Sequence, residues 1–147
     1  MTLEEIQKLW TSDCTIDDSQ LDVESIKIPE LHNKYFKIFS EERLRLVRME
    51  SKKKSLQKLK WLYYTGKIDK SSLDEMGWET FELDIKSRNK EDLNRFIDSD
   101  NDLLEMQDKI EYQKEKINYL EAIIKSLTNR GYFIKNAIDW KKFTMGA

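Results

Sequence analysis

Residues 43–67 read RLRLVRMESKKKSLQKLKWLYYTGK, from Arg43 to Lys67. Nine basic residues stand against one acid, Glu50, so the window carries +8 in a chain whose net charge is −2. The positive charge of a nearly neutral protein is gathered in one segment, which closes on Trp61, Tyr63 and Tyr64. At about 100° per residue the window resolves into helical faces. Leu46, Met49, Leu56, Leu59 and Tyr63 form an apolar stripe fit for packing. Arg43, Lys54, Lys58 and Trp61 project roughly opposite, and Arg48, Lys52, Lys53 and Lys60 flank the stripe. The segment therefore predicts one long amphipathic helix and, with it, a mainly helical fold.

An indole among ammonium groups on a polar face has a specific chemistry. Lysines neutralise phosphates and release counterions, giving affinity without sequence information. A flat ring offers any base a stacking surface. The candidate DNA-binding residues are Arg43, Arg48, Lys52, Lys53, Lys54, Lys58, Lys60, Trp61 and Tyr64. The same pattern also suits a solvated charged helix, a membrane surface or an acidic protein partner.

Outward from this window, Pro29 stands where a helix tolerates it, in the first turn, and Gly66 suits the residue just past a helix end. The spacing predicts a helix over about 29–65. At 147 residues, with four glycines and one proline, the chain favours long helices in one domain's length. Charged residues reach 37%, which points to an elongated helical protein or a core completed by self-association. Thr2 followed by Glu5 is a capping-box signature ahead of Leu3, Ile6, Leu9 and Trp10. Residues 67–88 read as an irregular insert in which Phe81, Leu83 and Ile85 alternate with polar residues, as in a short strand. A short helix follows over residues 89–98.

From Asp100 onward, Leu103, Met106, Ile110, Gln113, Ile117, Leu120, Ile124 and Leu127 fall on successive spacings of three and four, a coiled-coil-like seam. Its partner is the basic helix of the same chain, a sister subunit, or both. Gly131 is expected to end this helix, with a second short amphipathic segment over residues 132–143. Residues 1–98 thus form an N-terminal DNA-binding region and residues 99–147 a C-terminal oligomerisation region. Seam residues Leu103, Met106, Ile110, Ile117, Leu120, Ile124 and Leu127 are the candidates for self-association.

Other chemistry finds little support. The acidic stretch around Asp13, Asp17 and Asp18 lacks the spacing and glycine of a calcium loop, so no metal or other cofactor is expected. His32, the only histidine, has no visible nucleophile or acid beside it, and no phosphate-gripping glycine loop occurs, so no enzyme is expected. The single cysteine, Cys14, and the lack of an 18-residue apolar run point to a cytosolic protein.

Three stretches carry a resemblance to a known family. They are Lys52–Gly66 (KKKSLQKLKWLYYTG), the C-terminal Lys125-Ser126 with Arg130–Lys135 (RGYFIK), and the start, Leu3-Glu4 with Ile16-Asp17. In this order the chain resembles the UvsY family of recombination mediators of T4-type phages, over nearly its whole length except the middle insert. The resemblance implies a non-enzymatic homo-oligomer, a hexameric or heptameric ring, that binds single-stranded DNA. It implies displacement of the phage single-strand-binding protein and loading of a UvsX-like phage recombinase, in the cytoplasm of the infected host. The family's motif lysine and arginine fall on Lys58 and Lys60, and its C-terminal region is associated with oligomerisation. Lys60 in place of arginine keeps the charge but loses the planar fork. Leu62 and Gln57 also depart from the motif. The alternative is a helical scaffold that binds an acidic partner and no DNA.

Overall fold

The computed structural model describes residues 1–81 and 89–146. Among them are six helices: α1 (Leu3–Asp13), α2 (Leu21–Ile26), α3 (Ile28–Tyr64), α4 (Lys70–Met76), α5 (Lys90–Asp98) and α6 (Asn101–Thr144). No strand occurs among the described residues. The expected strand Phe81–Leu83–Ile85 lies outside them, apart from Phe81, which is not in a strand.

Local sequence explains most helix ends. Thr2 caps α1 through a complete capping box with Glu5: Glu5 N donates to Thr2 Oγ1 at 3.1 Å and Thr2 N to Glu5 Oε2 at 2.7 Å. After α3 the chain turns at Gly66, whose φ of +69° is open to glycine and strained for other residues. Lys67 N then donates to Leu62 O at 2.9 Å, closing the helix with a glycine-based C-cap. Asn89 caps α5 by accepting from Asp92 N at 2.8 Å.

Two expectations are corrected. The insert is not irregular throughout, because α4 lies within it, capped by Asp69 on Ser72 N and ended by Gly77 at φ +67°. Gly131 does not end the last helix, and the tail is no separate segment: α6 runs on to Thr144. A helix-interior glycine costs roughly 1 kcal/mol relative to alanine. Leu127, Arg130 and Ile134, buried on either side of it, hold the helix together there.

The chain forms two compact units. One comprises Met1–Arg45 and Gln113–Ala147, the other Leu46–Tyr112, with both boundaries inside α3 and α6. The first unit is built on Ile6, Tyr35, Leu120, Ile123 and Leu127, with Leu9, Trp10, Leu31, Ile38, Phe39, Tyr119 and Ile124 packed around them. Burying each such aliphatic side chain contributes roughly 1.5–3 kcal/mol. The Trp10 ring meets the Tyr35 ring edge-on at 5.4 Å. In this unit the apolar seam finds its partner within the chain, since Leu120 and Leu127 pack with α1 and α3.

Polar side chains interrupt the packing in pairs. Arg130 reaches from α6 to the end of α1, where Nη1 donates to Asp13 O at 3.0 Å and Nη2 to Thr15 O at 3.2 Å. Nη2 also meets Glu24 Oε2 of α2 at 3.0 Å. Buried Glu42 accepts from Gln113 Nε2 at 2.7 Å and from Lys116 Nζ at 3.2 Å. Tyr35 and Lys34 both donate to Asp13 Oδ2, at 2.7 and 2.6 Å. Each buried charge is thereby matched, which offsets the cost of removing it from water.

Candidate nucleic-acid interface

Within the unit Leu46–Tyr112, α3 turns two different faces to its surroundings. The inner face carries Leu46, Met49, Lys53, Leu56, Lys60, Tyr63 and Tyr64, all buried or half-buried. They recur every three or four residues, the spacing of a helix seam. Two lysines in this seam are paired with α6: Lys53 donates to Gln107, and Lys60 Nζ lies 2.6 Å from Asp102 Oδ2 and 3.1 Å from Asp100 Oδ2. Outside this seam stand Arg48 and Lys52, beside it, and Lys54, Lys58 and Trp61, roughly opposite it, all exposed.

Lys54, Lys58 and Trp61 stand at i, i+4 and i+7, so they line one side of the helix, with about 5–6 Å between neighbouring Cβ atoms. Among the described residues, Arg48, Lys52, Lys54 and Lys58 have neither an ion pair nor a side-chain hydrogen bond. Trp61 is 41% exposed, and Lys67 Nζ lies over its ring at 4.6 Å from the centroid. A cation–π contact of this exposed kind is worth roughly 0.5–1 kcal/mol. It covers one side of the indole and adds a further positive charge beside it.

Four candidates from the sequence stand apart from this group, and one of them is Lys53, which lies in the inner seam and donates to Gln107. Arg43 belongs to the other unit, where its guanidinium lies 5.5 Å from the Phe39 ring centroid. Tyr64 is half-buried: its hydroxyl donates to Asp100 Oδ2 at 2.6 Å and its ring packs on Phe81 and Phe96. Lys60, whose place among the DNA-binding candidates carries the expectation of an accessible side chain, is 5% exposed. That expectation is corrected, because the ammonium is enclosed by two carboxylates and lies 4.1 Å from the centre of the Trp78 ring. Burial pulls the Lys60 ammonium toward its neutral form, but hydrogen bonds to Asp102 and Asp100 outweigh this and its pKa is raised. Burial likewise pushes Asp100 up, and the Tyr64 hydroxyl, the Leu103 N–H and Lys60 together bring it below the ordinary value.

An aromatic group not singled out in the sequence surrounds this pair. Tyr63 packs against Tyr64, Trp78 and Phe81 at 5.1–5.8 Å, and Phe81 meets Phe96 at 5.2 Å. Its members come from three sequence segments with no common periodicity; the isolated Trp78 after Gly77 was the one local signal.

Of the predicted self-association residues, Leu103, Ile110, Leu120 and Leu127 are buried in the chain itself. Met106, Ile117 and Ile124 are half-buried. Large apolar side chains stand exposed farther along α6 and just past its end, namely Tyr132, Phe133, Trp140, Phe143 and Met145. Among the described residues no group of three or more His, Cys, Asp or Glu is placed to hold a metal ion. Among the described residues no helix is long and apolar enough to cross a membrane.

This architecture matches known structures. One crystal structure of the bacteriophage T4 recombination mediator protein UvsY, in lattice type II, superposes with a TM-score of 0.81 at 23% identity, covering 99% of this chain and 98% of that one. Another, in lattice type IV, gives 0.78 at 21% identity, covering 98% and 99%. At such identity the likeness is one of fold. No curated protein sequence matches the chain at a significant level. The family model described as "Recombination, repair and ssDNA binding protein UvsY" matches residues 9–147, and the chain belongs to the UvsY family.

Proposed function

We propose that the protein is a recombination mediator that binds single-stranded DNA without sequence preference through the outer face of α3. Arg48, Lys52, Lys54 and Lys58 meet phosphates, and Trp61 offers the side of its indole away from Lys67 to a base. The observation that carries this reading is the set of exposed cations on α3 with no partner among the described residues, of which Lys54 and Lys58 share a side with the exposed Trp61, in a member of this family. Cations without carboxylate partners have counterions to release, and that release is the source of sequence-independent affinity.

On this reading the bound strand is presented to a UvsX-like phage recombinase on DNA first covered by the phage single-strand-binding protein. The chain acts as a homo-oligomer, a hexameric or heptameric ring, in the host cytoplasm. Repeating a weak local site around a ring multiplies affinity through effective concentration. The exposed aromatic side chains at the end of α6 supply apolar surface for such assembly.

Titration of a labelled oligothymidine at several salt concentrations, alongside the native particle mass, tests the proposal. Affinity falling steeply with salt, in a particle several times the chain's 17.7 kDa, is the expected result. A protein that leaves the oligonucleotide free at low salt, yet retains an acidic polypeptide, is instead a scaffold.

A further inference from the structure

We propose that Lys60 is a positioning residue for the strand-binding face and not a member of it. The inference rests on the reading of the outer face of α3 as the DNA-binding surface. Lys58 and Lys60 are both lysines in the basic window, two residues apart, yet the helix turns one outward and the other inward.

Three N–H donors make up an ammonium group. Those of Lys60 face Asp102 at 2.6 Å, Asp100 at 3.1 Å and the Trp78 ring at 4.1 Å from its centroid. With 5% of Lys60 exposed, little of the ammonium is open to a phosphate oxygen. Asp100 is itself fixed, accepting from the Leu103 N–H at 3.0 Å as the cap of α6 and from the Tyr64 hydroxyl at 2.6 Å. Lys60 and Tyr64 therefore grip the first turn of α6 from the last two turns of α3. Those same turns carry Lys58 and Trp61 on their outer side.

For Lys60 to reach a strand it must leave the Asp100 carboxylate, 4% exposed, without its cation. An uncompensated buried charge costs more than one solvent-exposed phosphate contact returns. Lys60 instead holds the α3 terminus so that Lys58 and Trp61 keep their place.

The test compares Lys60→Met, Lys58→Met, Asp102→Asn, and Lys60→Met combined with Asp100→Asn and Asp102→Asn, by thermal melting and by oligothymidine binding across a salt series. Asparagine still caps a helix, so the triple variant removes charge without removing the cap. Lys60→Met is expected to lower the melting midpoint and weaken binding by the same factor at every salt concentration, with both effects largely reversed in the triple variant. Lys58→Met is expected to leave the midpoint unchanged and make the slope of log K against log salt shallower by about 0.7, the loss of one phosphate on a single strand.

Lys60→Met with an unchanged midpoint and that same shallower slope makes Lys60 a strand contact and overturns the proposal. Should Lys60→Met not fold, Asp102→Asn decides. Its carboxylate is half-exposed, and its loss frees one Lys60 donor. A slope steeper by about 0.7 overturns the proposal and an unchanged slope supports it. A wild-type protein without salt-dependent binding overturns the strand-binding reading itself, an outcome distinct from either of these.

Discussion

Lys58 and Lys60 lie two residues apart on α3 and occupy opposite electrostatic environments. Lys58 is exposed without an ion pair, whereas Lys60 is enclosed by Asp100 and Asp102. Equal formal charge therefore does not mean equal availability to a polyanion.

Trp61→Ala should weaken oligonucleotide binding by roughly 1–3 kcal/mol, the range of a base–aromatic stacking contact. The indole is 41% exposed, so its removal also gives up some packing: the melting midpoint should fall modestly while the particle mass stays near wild type. Fluorescence anisotropy with a labelled strand, together with light scattering, separates these effects. A mutant that dissociates yet binds normally when assembled places the indole in a subunit contact instead.

Lys54→Ala and Lys58→Ala should each weaken binding, and together they should make the salt dependence shallower by more than either alone. Stability should change by less than about 0.5 kcal/mol, as for surface sites generally. Binding isotherms at three or more salt concentrations, with circular dichroism of each variant, provide the check.

Arg130→Met should be among the most damaging single substitutions. It leaves buried Glu24 without the guanidinium at 3.0 Å and deprives the end of α1 of its donors. Breaking a buried pair from one side typically costs about 3–5 kcal/mol. Urea unfolding should show a large fall in midpoint, and Glu24→Gln, which keeps a hydrogen-bonding group, a smaller one.

Gly131→Ala should stabilise the protein by up to about 1 kcal/mol. The residue is inside α6 at negative φ, and an added Cβ would meet nothing within 4 Å. Thermal melting is the measurement, and a lower midpoint would contradict the open surroundings of this position.

Acid should unfold the protein through a definite set of carboxylates. Burial pushes Glu24, Glu42 and Asp100 up, but Arg130, Gln113 with Lys116, and Tyr64 with Lys60, respectively, bring each below its ordinary value. With a depressed folded-state pKa, the unfolded chain takes up the proton first. The stability these groups supply is complete above pH 4.5 for the glutamates and 3.8 for Asp100, and it is lost as pH falls through the lower folded values. The denaturation midpoint should be level across neutral pH and decline below about pH 4.5.

The fold was legible where the signal was local. Pro29 and Gly66 bracketed α3 to within a residue of its observed ends, and Thr2 with Glu5 marked the start of α1. The outward position of Trp61 followed from helical angle alone. Gly131 misled because its penalty is small beside the packing of Leu127, Arg130 and Ile134, which a local reading does not weigh. The burial of Lys60 is not legible for a related reason: its partners lie about forty residues away, and nothing in the spacing of the basic window distinguishes it from Lys58. The capping signal of α4, Asp69 with Ser72 and a closing Gly77, was present but short.

The paired lysines of the inner face also bear on how α6 finds its alignment. In this unit Lys53 pairs with Gln107 and Lys60 with Asp102, so sequence number rises along one helix as it falls along the other. Purely apolar seams repeat every seven residues and tolerate sliding by one repeat. Here a slide of seven residues toward the C-terminal end of α6 would bring Lys60 opposite Lys109 and Lys53 opposite Lys114. The mispaired hairpin would set cation against cation in two places at the depth where water is scarce. The paired lysines thus oppose slippage in that direction during folding, a discrimination that leucines alone would not supply.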